Sequence, residues 1–332
     1  MLCRTAPKPI GPPPTSPPRL TGDPPQSMTQ LALLGPQRNH PTVNDALDAL
    51  GVGPGPLVSI TAGWQEREGE LDELSSHLGR PVHDVALYRA VEALFAEDSE
   101  LFTAHRQRMA RLQDLQALYR VRLKFAFRSA RAMLTADGRP EVLEPARAAA
   151  LSALKRLDAE HLSALSSAHE RYDEVIRPEH RPSVEGARAA VVQAIEHAAA
   201  VLVAGGHIGV LLSRLRLLNL GPALARRPVI AWSAGAMAMA DHVVVFHDSP
   251  PQGAGAAEVF DFGLGLVHRR VLLPDAVNRL RLGDPIRVTK LAQRFAPAVC
   301  LTLDSGAGLV VQAGRVTRQW AVRALQPDGT VG

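Results

Sequence analysis

Two blocks of alternating strand-like and helix-like text, separated by a long stretch with no strand signal, constrain this chain more than any other feature. The first block runs from Leu31 through LALLG, TVNDALDALG, PLVSITAG, REGELDELSSHLG and HDVALY. The second follows RPEHRPS with the helical text VEGARAAVVQAIEHA, the run AVLVAGG, a helix through VLLSRLRLL, and then PVIAWSAGAMAMA, HVVVFHDSP, GLGLVHRRVLL, IRVTKLAQRF and AVCLTLDSGAGLVVQAGRVTRQWAV. Short apolar runs that alternate with helical periods need crossover connections, which predict a mostly parallel sheet covered by helices in a three-layer α/β fold. The last β-rich segments are expected to complete that sheet and add an edge hairpin.

Between about Ala90 and Ile176 the apolar residues take helical spacing. Leu112, Leu115, Tyr119 and Leu123 form one stripe, and Leu151, Leu154, Leu162, Leu165, Tyr172 and Ile176 form another. TADGRP between them supplies a turn, so the reading is a long antiparallel helical hairpin inserted into the α/β text. This divides the chain into a Pro-rich tail over 1–27, a first α/β part over 28–89, the hairpin over 90–180, and a second α/β part over 181–332. The prolines of the tail deny it backbone donors and apolar content, so it is expected to be disordered. The hairpin's arginines, among them Arg106, Arg108, Arg111, Arg120, Arg122, Arg128 and Arg131, read as a solvated face, with a basic surface for an acidic partner as the alternative.

Composition narrows the function classes. A chain of 332 residues that is 46% hydrophobic can bury a sizeable core, and no run of eighteen apolar residues offers a membrane span. Only Cys3 and Cys300 are present, which predicts a reducing, cytoplasmic setting without a disulfide framework. A net charge of +4 is modest for this length, so nucleic acid is not an expected partner. Histidines and acids lack zinc spacing, and GGHIG lacks the spacing of a dinucleotide turn, so neither a metal nor a cofactor is expected.

The strongest chemical signal is PVIAWSAGAMAMA. An apolar strand runs into Ser233, and the small residues Ala234, Gly235 and Ala236 open a helix. A serine at a sharp strand-to-helix turn is exposed at the carboxyl end of a sheet, beside amides left unpaired at a helix N-terminus. The same text also fits a plain N-cap followed by packing residues. AGGHIG makes a second glycine turn, in which Gly205, Gly206 and His207 are candidates to aim amides at the same carbonyl oxygen. Trp64, Gln65, Glu66 and Arg67 follow the strand-like LVSITAG and are candidates for a pocket at the carboxyl edge of the sheet, where open α/β folds bind ligands.

These strings resemble the dipeptidase E and cyanophycinase family of serine peptidases. AWSAGA is similar to the family's G-x-S-A-G-A elbow, AGGHIGVLL to its Gly-Gly-Asn-Thr turn and helix, and GLGL with LTLDSGAGLVV to its later strands. The resemblance spans roughly residues 200–316, with an echo in SITAGWQERE. It implies a class I glutamine amidotransferase-like, flavodoxin-like fold in which serine replaces cysteine, with Ser233 as nucleophile. The family's Asp-x-Pro element falls on Asp248 in HDSP, which the resemblance casts as the residue that orients a base.

Two departures bear on activity. The family histidine follows the GLGL strand in a Pro-His pair, and here LLPDAVNRL puts Asp275 at that place; position 305 is serine where the family has an acidic residue. His268, His247 and His207 are the histidines that remain as substitute bases or as surface side chains, with His268 taken as the candidate third member beside Ser233 and Asp248. Arg279 and Arg281 are candidates to grip a substrate carboxylate, or belong to a helix surface. Two expectations follow: a serine hydrolase acting on small peptides or amides, or an impaired relative that binds a ligand or partner, with the hairpin as a surface for self-association.

Overall fold

The computed structural model describes residues 29–248 and 255–332, so the Pro-rich tail read over 1–27 lies outside the described residues. The first α/β stretch contributes β1 (Gln30–Leu34), α1 (Val43–Ala49), β2 (Leu57–Ile60), α2 (Asp72–Leu78), β3 (Val82–Asp84) and α3 (Leu87–Glu97). Two long helices follow, α4 (Ser99–Thr135) and α5 (Pro140–Ile176). The chain then runs through α6 (Pro182–His197), β4 (Ala200–Val203), α7 (Ile208–Leu217), α8 (Gly221–Leu224), β5 (Pro228–Trp232) and α9 (Ala234–Met239). It ends with β6 (His242–Val245), β7 (Glu258–Phe262), β8 (Arg270–Pro274), α10 (Ala276–Arg279), α11 (Pro285–Phe295), β9 (Val299–Leu303), β10 (Gly308–Gln312), β11 (Arg315–Trp320) and β12 (Arg323–Ala324).

The main sheet has the order β11-β10-β1-β5-β4-β2-β3. Its strands β1, β5, β4, β2 and β3 are parallel, and the β10–β11 hairpin joins antiparallel at β1. Because side chains alternate along a strand, Leu31, Leu33, Ile60, Val201 and Val203 pack on one face with Val91, Ile195 and Leu211 from the helices. Ala32, Leu34, Leu57, Leu202 and Ile230 pack on the other face against Val43, Ala46 and Leu47 of α1. A sheet buried on both faces reads as continuous apolar text, which is why these strands were legible.

One expectation is corrected. Of the C-terminal strands only β10 and β11 extend the main sheet; β8 and β9 pair in parallel and form a separate three-stranded sheet with β12, while β6 and β7 form a ribbon. β1 is already flanked by β5 and β10, so its edges are closed to β8 and β9.

The long helices α4 and α5 share the apolar cluster of Tyr119, Leu123, Phe127, Ala130, Leu154 and Leu157. Asp98 caps α4 by accepting the Leu101 amide at 2.9 Å, and Arg181 grips the same carboxylate at 2.7 Å, tying the start of α4 to that of α6. The seam also buries polar groups among its apolar residues. The Tyr119 hydroxyl donates to Asp158 at 2.8 Å, and the His161 ring stacks on Tyr119 at 4.1 Å while bonding Gln116 at 2.9 Å. Arg294 of α11, 2% exposed, donates to both Asp158 oxygens at 2.6 and 2.7 Å and to the Ala257 carbonyl at 2.7 Å. Arg108 is not part of a solvated face: it is buried 4.0 Å over the Tyr172 ring. Among the described residues no helix is long and apolar enough to cross a membrane.

Two stability predictions follow. Arg294→Met strands Asp158 in the seam and is expected to lower the unfolding free energy by about 3–5 kcal/mol in urea titrations, with much of the loss recovered in Arg294→Met/Asp158→Leu. Burial pushes His161 down to about 4 and His105 down to about 3, so both rings are neutral in the fold and take up protons only when it opens. The unfolded chain therefore binds more protons below pH 6.5, the ordinary imidazole value, and stability falls from there toward pH 4 by about 1.4 kcal/mol per pH unit for each ring. His161→Gln should flatten that slope in chemical denaturation measured across the same window.

Candidate functional site

β5 ends at Trp232 and α9 starts at Ala234, so a single residue makes the whole strand-to-helix turn. Ser233 does so at φ 52° and ψ −122°, the conformation of the first central residue of a type II′ turn, where glycine is the usual occupant. Holding a serine there costs on the order of 1–3 kcal/mol. Its amide donates to the Leu34 carbonyl at 3.0 Å and its carbonyl accepts the Met237 amide at 3.1 Å, which pins the turn from both sides. The residue is half-buried, and among the described residues its hydroxyl has no hydrogen-bond partner.

Glycine is required at two flanking positions. A Cβ on Gly205 would lie 2.8 Å from the Ser233 Cβ, and a Cβ on Gly235 would lie 2.3 Å from the Val203 carbonyl oxygen. The glycine turn after β4 thus sits in direct contact with the serine turn after β5. Neither the Gly206 amide nor the Ala234 amide donates to an acceptor among the described residues, leaving both available to an anionic oxygen.

His207 does not join them. Its amide donates to the Gly63 carbonyl at 2.7 Å, and its Nδ1 accepts the Val210 amide at 3.2 Å, making it the N-cap of α7.

The turn after β2 completes the edge. Thr61 donates to Asp84 at 2.6 Å on one side of it, and buried Glu68 accepts the Tyr88 and Arg89 amides at 2.7 and 2.9 Å on the other. Burial raises the Glu68 carboxyl above its ordinary value, and those two amides work against the rise. Between these anchors Gln65 stands at φ 58° and ψ −122°, nearly the same backbone conformation as Ser233. Glu66 accepts from the Tyr88 hydroxyl at 3.1 Å and Arg67 pairs with Glu70 at 2.6 Å, so Gln65 is the strained member of the Trp64–Arg67 group.

The remaining candidates are distributed as follows. Asp275 follows β8 in the left-handed region, its amide bonded to Leu303 at 3.0 Å, and is half-buried. The loop after Leu303 reaches Gly35 through Ala307, and Leu34 bonds Ser233, so Asp275 lies on the same edge as the serine. Asn278 and Arg279 hold its carboxylate at 2.7 and 3.3 Å. His268 precedes β8 and so stands at its other end. It pairs through Nδ1 with Asp241 at 2.6 Å, at the opposite end of α9 from Ser233. Burial would raise Asp241, but the His268 and Arg269 hydrogen bonds win and hold it below the ordinary carboxylate value. Asp248 is buried and takes the Arg287 guanidinium on both oxygens together with the Arg281 amide at 2.8 Å. Ser233, Asp248 and His268 are therefore not assembled as a triad: Asp248 clamps α11, and His268 faces Asp241.

No protein-family model matches the chain, and no curated protein matches it. Among solved structures it is similar to a peptidase from an acI-B1 actinobacterium, with 12% identity over 91% of this chain and 93% of that one and a TM-score of 0.43. At that level of likeness, any functional reading rests on the geometry of the edge.

The contact between the two turns makes opposite predictions for two small substitutions. Gly205→Ala is expected to destabilise by about 1–3 kcal/mol through overpacking against Ser233. Ser233→Gly relieves the positive-φ strain and is expected to be net stabilising by about 1 kcal/mol after the extra chain entropy of glycine. Thermal unfolding of both variants beside the wild type checks the signs.

Proposed function

We propose that this chain is a serine-dependent hydrolase of small peptides or amides, similar to dipeptidase E and cyanophycinase, with Ser233 as nucleophile. The observation that carries the reading is a serine held at φ 52° with an unbonded hydroxyl, flanked by the unpaired amides of Ala234 and Gly206. In this reading the substrate carbonyl lies between the two turns. Attack by the Ser233 oxygen makes a tetrahedral oxyanion that those amides receive; collapse expels the amine, which takes the proton lost by the serine hydroxyl, and leaves an acyl-serine that water hydrolyses to the free acid and serine. In the same reading Gln65, whose backbone is strained on the adjoining turn, orients the substrate. A class I glutamine amidotransferase-like fold belongs to the same reading, supported by five parallel strands with the serine turn at the end of β5. The hairpin is then an insertion, and Leu118, Val121 and Phe125, all exposed along α4, support association of copies through it.

A second reading has its own support. Asp275 stands where the resemblance calls for a histidine, and no imidazole among the described residues bonds the Ser233 hydroxyl. A serine without its base loses several orders of magnitude in rate, which leaves an edge that binds a peptide or amide without turning it over.

One experiment separates the two. A fluorophosphonate probe followed by peptide mass spectrometry should label Ser233 in the wild type and leave Ser233→Ala at background. Equal labelling of both proteins rejects the hydrolase. Asp275→His should then raise labelling and amide hydrolysis by orders of magnitude if the edge is a decayed triad, and should change little if the wild type is already active.

A further inference from the structure

A second feature stands apart from the serine edge. The space between α4, the start of α11 and the segment at Asp248 forms an open cavity of about 460 Å³, within the range of small-molecule sites. Its α4 wall carries Arg120, Lys124, Arg128 and Arg131, spaced three or four residues apart and so on one face of the helix. Like charges at that spacing repel, and a helix keeps such a row at a cost unless something neutralises it. Neighbouring carboxylates account for part of the row. Glu258 takes Arg120 at 2.7 Å, and Asp284 lies 3.7 Å from Arg131, while Asp248 is occupied by Arg287. Lys124, Arg128 and Lys290 have no carboxylate within 4.0 Å among the described residues.

Lys290 is the decisive group. It is 4% exposed and lines the cavity, its ammonium sits 4.8 Å from the centre of the Phe127 ring, and it has no hydrogen-bond acceptor among the described residues. An ammonium has three donors to satisfy, and a ring face offers attraction without an acceptor. Burial first, and then Arg287 and Arg131, push its pKa down to about 8, against the opposing pull of Asp284 and Asp248.

We propose that this cavity binds a small phosphate-bearing polyanion, held by Lys290 from α11 and by Lys124 and Arg128 from α4. A phosphoryl group supplies several acceptor oxygens and more than one negative charge in a small volume, as three neighbouring cations without carboxylates demand. The source is either an inorganic polyphosphate or a nucleoside phosphate. The inference is independent of whether Ser233 is catalytic.

Isothermal titration calorimetry of the full chain with sodium tripolyphosphate tests it. The expected result is saturable binding that Lys290→Met weakens about tenfold or more, the scale of one charge-assisted contact. Arg128→Gln and Lys124→Gln, both at exposed positions, should each weaken it several-fold and serve if Lys290→Met does not fold by circular dichroism. Arg111→Gln, exposed on the same helix but outside the cavity, should leave the affinity unchanged. ATP binding more tightly than tripolyphosphate identifies a nucleoside phosphate, and equal or weaker binding identifies recognition of the phosphates alone. Absence of saturable binding overturns the proposal. So does a loss in Arg111→Gln equal to that in Arg128→Gln, or triglutamate binding as well as tripolyphosphate.

Discussion

The backbone conformation at Ser233 is the constraint from which the candidate site follows. A residue with a side chain enters this region of φ and ψ only where its surroundings hold it there, and here they do so from three directions. The amide is fixed to β1, the carbonyl to the first turn of α9, and the Cβ rests against a glycine of the neighbouring turn. That last contact also explains why the β4 turn is glycine-rich: any larger residue at 205 would separate the two turns. The approach continues one turn further, because Gly63 and Gly206 pack backbone to backbone, with a Cβ on Gly206 placed 2.4 Å from the Gly63 carbonyl oxygen. Three successive strand ends, β2, β4 and β5, are thus brought together by contacts that only glycine permits.

The helical pair is attached by different physics. A purely apolar seam would let α4 and α5 slide or rotate against the body, since dispersion is not directional. The bonds of Arg294 to Asp158 and of Arg216 to Asp261, at 2.6 Å each, have direction and a single satisfied register. Such pairs contribute little net stability because removing two ions from water cancels most of their attraction. Their effect here is positional: they fix α11 against α5 and β7 against α7. The same attachment sets the spacing between α4 and α11, and the width of the cavity beneath Lys290 follows from it.

What the sequence made legible was local. The turn at residue 233 is written in five consecutive residues, and the stripes of α4 and α5 in an apolar period, so both could be read without knowing the rest of the chain. What escaped was nonlocal. His207 sits in a glycine turn beside the serine, yet its amide is taken by Gly63, more than a hundred residues earlier in the chain. Asp248 matched a motif in its own neighbourhood, but its carboxylate is occupied by Arg287, 39 residues later. Arg108 looked like one more surface arginine until Tyr172 closed over it. The clue available in advance was composition within the stripes. His105, Arg108, Gln116, Asp158, His161 and His169 interrupt faces that would otherwise be apolar, and polar residues on a buried face call for partners elsewhere.

Strand polarity explains why the edge keeps Ser233 apart from His268. Parallel strands send all their carboxyl ends to one side, so residues that follow a strand meet there and residues that precede one do not. Ser233, Gly206, Gln65 and Asp275 each follow a strand; His268 comes before one and pairs with Asp241 at the far end of α9. A side chain cannot cross the length of β8 to reach the serine, whatever its rotamer. An imidazole that serves Ser233 must therefore come from a segment that follows a strand or folds over that edge, and Asp275 already occupies the position after β8. On the proposed reading, the identity of that one residue decides between a hydrolytic edge and a binding one.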